Sequence, residues 1–463
     1  MQFGARRSTA VLIGSALVLG GCGGADGPAP WPDRPVVQLE FDVAADLASV
    51  AGRERVVFTP DADICELVFR AWPNKPATAR AGSSLVVTDV VVDGVAVEAL
   101  DVAAGAPATA PAGTLLEVPL PACVSAGTEV TAELGFDLEL GEDVDERIGT
   151  SADADVAWFG TAFPLLSWVR GRGWDRDPAV PVTGEMAVSE DFDLRSLEVT
   201  APTSYAVSGT GLLLGTVPGT AEGTTRHRFT AAEVRDVTVS VGDLTVATER
   251  INGVRVHLAA DRLADESALA EWAEQIRTSM DSLTALLGPF PDEDLWITVL
   301  SSESSGIEFP GAVQFGNVDV GVRGSLVTHE LAHMWFYGLV GNDQGTDPWL
   351  DESFATFAQI VADGQASPAD VLATSDRADV GEDMTYWSDQ PQASSTYYDT
   401  VYTLGGAALL EARDRAGHEA FDAALRSYVQ DNAYSVATPE DVATAFADLP
   451  EVLSILRRVG ALP

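Results

Sequence analysis

The sequence predicts an α+β chain with a β-rich first half, to about residue 250, and a helix-rich second half. Before residue 250, valine-rich runs of strand length alternate with turn residues, as in the two runs of 85–100 that flank Asp93-Gly94, a hairpin signal. After it, apolar residues recur at three- and four-residue steps, the period of a helix with one buried face. The 463 residues are 46% hydrophobic, enough to bury a large core and to form two or three domains.

The N-terminus reads as an export signal. Arg6 and Arg7 precede an apolar stretch at 10–19, and Leu19-Gly20-Gly21-Cys22 has the form of a lipobox. Residues 1–21 are then expected to be a lipoprotein signal peptide, with Cys22 the lipidated first residue of a chain anchored on the extracytoplasmic face of a bacterial membrane. An ordinary secretory signal is the alternative. The apolar stretch is too short for a bilayer span, which takes about 20 residues. Segment 22–36, rich in Gly, Pro and Asp, is expected to be a flexible tether.

Segment 37–250 supplies the β domain, with further strands expected at 55–58, 65–69, 115–120 and 128–140. Cys65 and Cys123 are the two cysteines besides Cys22. In an oxidising compartment they form a disulfide or remain two separately buried thiols. In segment 251–463, Leu269, Trp272, Ile276, Met280, Leu283 and Leu287 fall on one helical face that Gly288-Pro289 ends. A buried strand is expected at 295–300, then further helices around 419–430 and 439–459.

The charge balance is strongly acidic: 27 Lys and Arg against 70 Asp and Glu, net −43. It argues against nucleic acid as a partner and for a solvated acidic surface. Lys75 is the only lysine. Nothing in the sequence points to an oligomeric state.

The chemistry concentrates in the second half. His329-Glu330-Leu331-Ala332-His333 places two imidazoles one helical turn apart, on the same face, with Glu330 between them. Glu352 lies in a second helical run, 349–361, that can return a carboxylate to the same point. Three such ligands suit one zinc ion with a fourth position open for water, and Glu330 is placed to serve as general base. Asp351 either orients a ligating histidine or solvates the start of its helix. His227, His257 and His418 lack ligand spacing.

These segments resemble a known family. HELAHMWFYGLVGND (329–343) and PWLDESFATF (348–357) are similar to the zinc core of the aminopeptidase N family of gluzincin metallopeptidases. Gly306-Ile307-Glu308-Phe309-Pro310-Gly311 resembles its GxMEN exopeptidase signature, with Ile307 and Phe309 in place of the usual Met and Asn. Tyr402-Thr403-Leu404-Gly405-Gly406-Ala407 resembles its YxxGA segment, with Gly406 replacing Ala. Weaker likeness extends to 65–74, 163–168 and 228–239, while the PCxDEP-like segment of the N-terminal domain finds no clear match.

The resemblance implies a β-rich, saddle-like N-terminal domain followed by a thermolysin-like α+β catalytic domain, in a short member of the family. It also implies a zinc aminopeptidase acting on peptides with a free N-terminus. Tyr402, rather than Tyr397 or Tyr398, would stabilise the oxyanion. Glu308 would pair with the substrate α-ammonium, and the backbone at Gly306 and Ile307 would pair with extended substrate. Two other classes stand beside this: a zinc endopeptidase or small-molecule hydrolase on the same fold, and a non-catalytic binding lipoprotein.

Overall fold

Alternation along Ser49–Phe58, which turns Val50, Gly52, Glu54, Val56 and Phe58 inward, makes it a central strand of an eight-stranded sheet. The computed structural model describes residues 29–144, 146–182, 188–262, 269–365 and 369–463, so the lipobox with Cys22 and the first part of segment 22–36, residues 22–28, lie outside the described residues. From one edge the sheet order is Leu212–Pro218, Thr224–Val234, Phe192–Pro202, Val36–Val43, Ser49–Phe58, Val130–Glu139, Ser84–Val92 and Val95–Ala96. Asp93 and Gly94 both adopt left-handed φ, 48° and 78°, and close the hairpin that pairs Val92 with Val95. A smaller sheet pairs Ile64–Arg70 with Leu115–Val124, and a disulfide joins Cys65 to Cys123 across it.

The change of architecture comes earlier than residue 250. Leu244–Ile251 already belongs to the second region's five-stranded sheet, in the order Leu244–Ile251, Val254–Asp261, Asp294–Leu300, Ala312–Gly316, Gly306–Phe309. Asn252-Gly253, at φ 52° and 91°, folds that strand back on its neighbour, so a turn of the same kind as Asp93-Gly94 lies inside the domain and not at its border. The helix Leu269–Leu287 connects two parallel strands and buries Trp272, Ile276, Met280, Leu283 and Leu287. Gly306–Phe309 is the sheet's edge strand and faces the helix Val320–Ala332.

The helix Trp349–Ala362 follows, then a π-helical stretch, Tyr398–Leu404, that runs into the helix Gly405–Ala416. Beyond the helix His418–Asp431, the pattern expected at 439–459 divides into Pro439–Ala445 and Pro450–Arg458, because Pro450 cannot continue a helix but is suited to begin one. One continuous buried core runs through both regions, from Val37 to Leu462. No helix among the described residues is long and apolar enough to cross a membrane.

Candidate active site

His329 lies in the last turn of Val320–Ala332 and His333 is its C-cap residue, which sets their Nε2 atoms 3.3 Å apart. Glu352 enters from the first turn of Trp349–Ala362. Its Oε2 stands 3.3 Å from His329 Nε2 and 3.5 Å from His333 Nε2. Tetrahedral zinc, with bonds of about 2.0–2.1 Å, spaces its ligands by about 3.3 Å, so the triangle has the dimensions of a zinc face. Glu352 Oε2 is buried and receives no hydrogen bond, and a shared cation would satisfy it.

Glu308, His333 and Asp351 form a second convergence of donor atoms. It is better read as support for the first. His333 Nδ1 lies 2.6 Å from Asp351 Oδ1, and Gln344 Nε2 donates to the other Asp351 oxygen at 2.7 Å. Fully buried, Asp351 thus orients the His333 ring rather than solvating a helix end. Two hydroxyl side chains, Thr328 and Ser353, tie the surrounding helices together. Thr328, beside His329, bonds Ser279 at 2.8 Å and Asp363 at 2.7 Å, and Ser353 Oγ donates to the Val401 carbonyl at 2.6 Å, tying the Glu352 helix to the stretch that carries Tyr402.

Burial dominates the electrostatics. It lowers the His329 pKa to about 3, with the charge of His333 adding to the effect. For His333 burial pulls the same way, but Asp351, Glu308 and Glu352 outweigh it and hold the ring well above the usual histidine range. Burial raises Glu352 to about 7 and Glu330 well above the carboxylate range; His333 opposes both shifts. Such a crowd of buried carboxylates around two imidazoles suits a divalent cation.

Glu330 reaches toward the edge strand, where a Cβ on residue 306 would sit 2.4 Å from Glu330 Cγ; Gly306 is the residue that leaves this space. Glu330 Oε2 is buried without a hydrogen-bond partner. Tyr402 stacks on His329, with ring centroids 5.7 Å apart and planes 19° off parallel, and its hydroxyl bonds Glu352. Its placement in a π-helical stretch is common at functional sites.

On the edge strand, Glu308 is buried 3.5 Å from Arg147 Nη2. The two departures from the family signature are partly accounted for. Phe309 fills a slot over Gly160 of the β region, where a Cβ would lie 2.2 Å from its ring, and the Arg147 guanidinium sits 5.1 Å from that ring's centre. Ile307 lines the cavity.

His329, Glu330, His333, Glu352, Tyr402, Gly306, Ile307 and Glu308 share one cavity of about 590 Å³, and Asp351 stands directly behind it. His227, His257 and His418 lie elsewhere; His257 stacks on Trp296 and His418 pairs with Asp414 on the surface. The segment 163–168 packs in the β core and contributes no lining residue. Sequence reading missed Arg147 and Lys75, which enter the cavity from the β region, and Gln344 behind Asp351. Arg147 and Glu308 are 161 residues apart, and no local pattern announces such a contact.

Comparison with known proteins agrees with this geometry. Residues 322–458 match the Peptidase family M1 domain. Over 136 residues the chain is 31% identical to the Tricorn protease-interacting factor F2 of Thermoplasma acidophilum, a match covering 27% of this chain and 17% of that protein. Over 143 residues it is 29% identical to an aminopeptidase N of Streptomyces lividans, again covering 27% and 17%. These matches therefore span less than a fifth of the relatives' own length. An M1 zinc metallopeptidase from Deinococcus radiodurans superimposes with a TM-score of 0.65 over 94% of this chain and 96% of that one, at 19% identity, a likeness of fold.

Proposed function

We propose that this chain, an aminopeptidase N-family (M1) gluzincin by its domain, its relatives and its fold, is a zinc-dependent aminopeptidase that removes N-terminal residues from peptides. One observation carries the reading. The ligand triangle, the Glu330 base and the Glu308 carboxylate line a single cavity beside an open strand edge.

His329, His333 and Glu352 would hold one zinc ion, which when bound supplies Lewis acidity and lowers the pKa of a water molecule. The remaining roles fall to the chain. Asp351 keeps His333 in the orientation that presents Nε2. Glu330 accepts a proton from the attacking water and returns it to the departing amine; burial, which raises its proton affinity, suits that duty. Tyr402 donates its hydroxyl hydrogen to the carbonyl oxygen as negative charge develops there. Glu308 pairs with the substrate α-ammonium and so sets the first peptide bond beside Glu330 and Tyr402, while the backbone at Gly306 and Ile307 offers an edge for extended substrate.

Comparing a free peptide with its N-acetylated form tests the exopeptidase part. Wild type should strongly prefer the free amine, and Glu308→Ala should lose most of that preference, a change of about 2–5 kcal/mol in transition-state binding, with zinc content unchanged. Equal wild-type rates on both peptides would favour an endopeptidase. A chain that retained no zinc after reconstitution would end the metallopeptidase reading altogether.

The lipobox at 19–22 supports a further proposal, attachment to the extracytoplasmic face of a bacterial membrane through a lipid on Cys22. Cys22→Ser should move the protein from the membrane fraction to the soluble one; unchanged fractionation would count against the anchor.

A further inference from the structure

Arg147 is a buried cation that the β region places against the edge strand of the catalytic region. It directly precedes the strand Ile148–Ser151, which pairs with Val156–Gly160, and the Gly160 amide donates to its carbonyl at 3.0 Å. From this support the guanidinium meets two consecutive residues of the edge strand. Its Nη2 stands 3.5 Å from Glu308 Oε1, and its carbon lies 5.1 Å from the centre of the Phe309 ring. Phe309 is fully buried and seats that ring on Gly160, the residue that also holds the Arg147 backbone; a Cβ there would come within 2.2 Å of it. A cation is attracted to an aromatic face, and a planar guanidinium held on one has less freedom to lose when it bonds a carboxylate. Arg147, Phe309 and Gly160 thus form one support across the junction of the two regions.

The carboxylate that this support meets has little else to fix it. Glu308 is 4% exposed, and among the described residues its side chain makes a single hydrogen bond, the one from Arg147. Asp351 and Glu352, of like charge, repel it. A carboxylate accepts at both oxygens, so with Oε1 on Arg147 the other oxygen is left for the cavity that Glu308 lines. We propose that Arg147 is the positioning residue of the amine site: resting on Phe309, it holds one oxygen of Glu308 and so turns the other toward the substrate α-ammonium. The proposal rests on the aminopeptidase reading for the role of Glu308. It gives Arg147 no part in attracting substrate, because Glu146, Asp236, Glu330 and Glu352 also act on its charge and offset it within the protein. The contribution is geometric. Where the amine sits decides how the first peptide bond meets Glu330 and Tyr402, and a small misplacement of reacting groups lowers kcat. Phe309, a departure from the family signature, thereby gains a function as the face on which the guanidinium rests.

The test compares a free peptide with its N-acetylated form in variants of this support. Arg147→Met should lower kcat/KM for the free peptide about tenfold or more beyond any fall on the acetylated one, the range for a hydrogen bond to a charged group, with kcat and KM both contributing. Arg147→Lys keeps a donor but not the planar fork, and should recover part of the preference. Arg147→Met combined with Glu308→Ala should show no less preference than Glu308→Ala alone, because the two residues act through one contact. Phe309→Leu leaves both charges in place and should reduce the preference in the same direction but by less; it decides the matter if Arg147→Met does not fold. The proposal is overturned if Arg147→Met keeps the preference, falls equally on both peptides, or gains preference through removal of a competitor for Glu308. Full preference in Phe309→Leu overturns it too. Should wild type cleave both peptides alike, the aminopeptidase reading fails, and calorimetric titration of Glu330→Gln with L-leucinamide decides the proposal by itself. Weaker binding once Arg147→Met is added supports it; unchanged or absent binding overturns it.

Discussion

Glu330 shows how much of a site one residue's surroundings determine. It lies between His329 and His333 on one helical turn, and its carboxylate packs against Gly306, with Oε2 buried and without a donor. A residue so placed can exchange protons without holding the metal. Glu330→Gln keeps the shape and removes the base, so turnover should fall by about 10²–10⁴-fold while about one zinc per chain remains bound. Elemental analysis alongside kcat separates the two effects, and a joint fall would make Glu330 structural. This part of the site was legible in the sequence because it is local: a four-residue spacing fixes a helical face. Arg147, Lys75 and Gln344 were not. Arg147 and Lys75 reach the site through long-range fold contacts, and Gln344 bonds Asp351 from the turn before its helix, where no periodic spacing marks it; each residue type is common on surfaces.

Among the secondary-structure elements, Ser49–Phe58 breaks its own rule. Its alternation sends Glu54 into the core, 3% exposed, with both carboxylate oxygens unpartnered and Val37, Phe163, Leu165 and Phe192 around a small adjoining gap. Burial pushes the Glu54 pKa well above the usual carboxylate range. The folded state then holds a proton that the unfolded chain releases near pH 4.5. Stability from this group is fully present below that pH and is lost as pH rises toward the folded-state value, at up to about 1.4 kcal/mol per pH unit. Glu54→Gln removes the titration. Denaturant unfolding of both proteins at pH 5 and pH 8 should show the variant gaining on wild type at the higher pH; a constant difference would mean that Glu54 is ionised or solvated. The strand expected at 55–58 is the last part of Ser49–Phe58, so the expectation stopped short of the inward glutamate, whose charge interrupts the apolar alternation. The turn at Asn252-Gly253 was missed for another reason: a hairpin signal marks a reversal, not the sheet to which its strands belong.

At the scale of the whole molecule, two regions share one core, and the site lies where they meet. Arg235, 2% exposed, is the polar fastening of that junction. From the β region its guanidinium donates to the Ser189 carbonyl at 2.7 Å and crosses to the carbonyls of Gly338, Leu339 and Ser435 at 3.2, 3.5 and 3.4 Å. Next to it, Asp236 accepts from Thr161 at 2.6 Å and from Tyr337 at 3.1 Å, again across the junction. Residues 337–339 follow the HExxH helix directly, so these bonds set where the catalytic helix stands relative to the β-region wall that carries Lys75 and Arg147. This fastening was not legible in the sequence, because an arginine whose hydrogen bonds go to backbone carbonyls leaves no paired residue to find. Arg235→Met would preserve much of the buried volume and strand several carbonyls without donors, a loss of about 3 kcal/mol. Calorimetry should show a lower unfolding midpoint, and KM for free peptides should rise because the two walls of the cavity are no longer held in register. Zinc content should stay at about one per chain, since all three ligands belong to the catalytic region. An unchanged midpoint would show that the apolar core alone joins the regions. A lowered midpoint with unaltered KM would separate the fastening from the site.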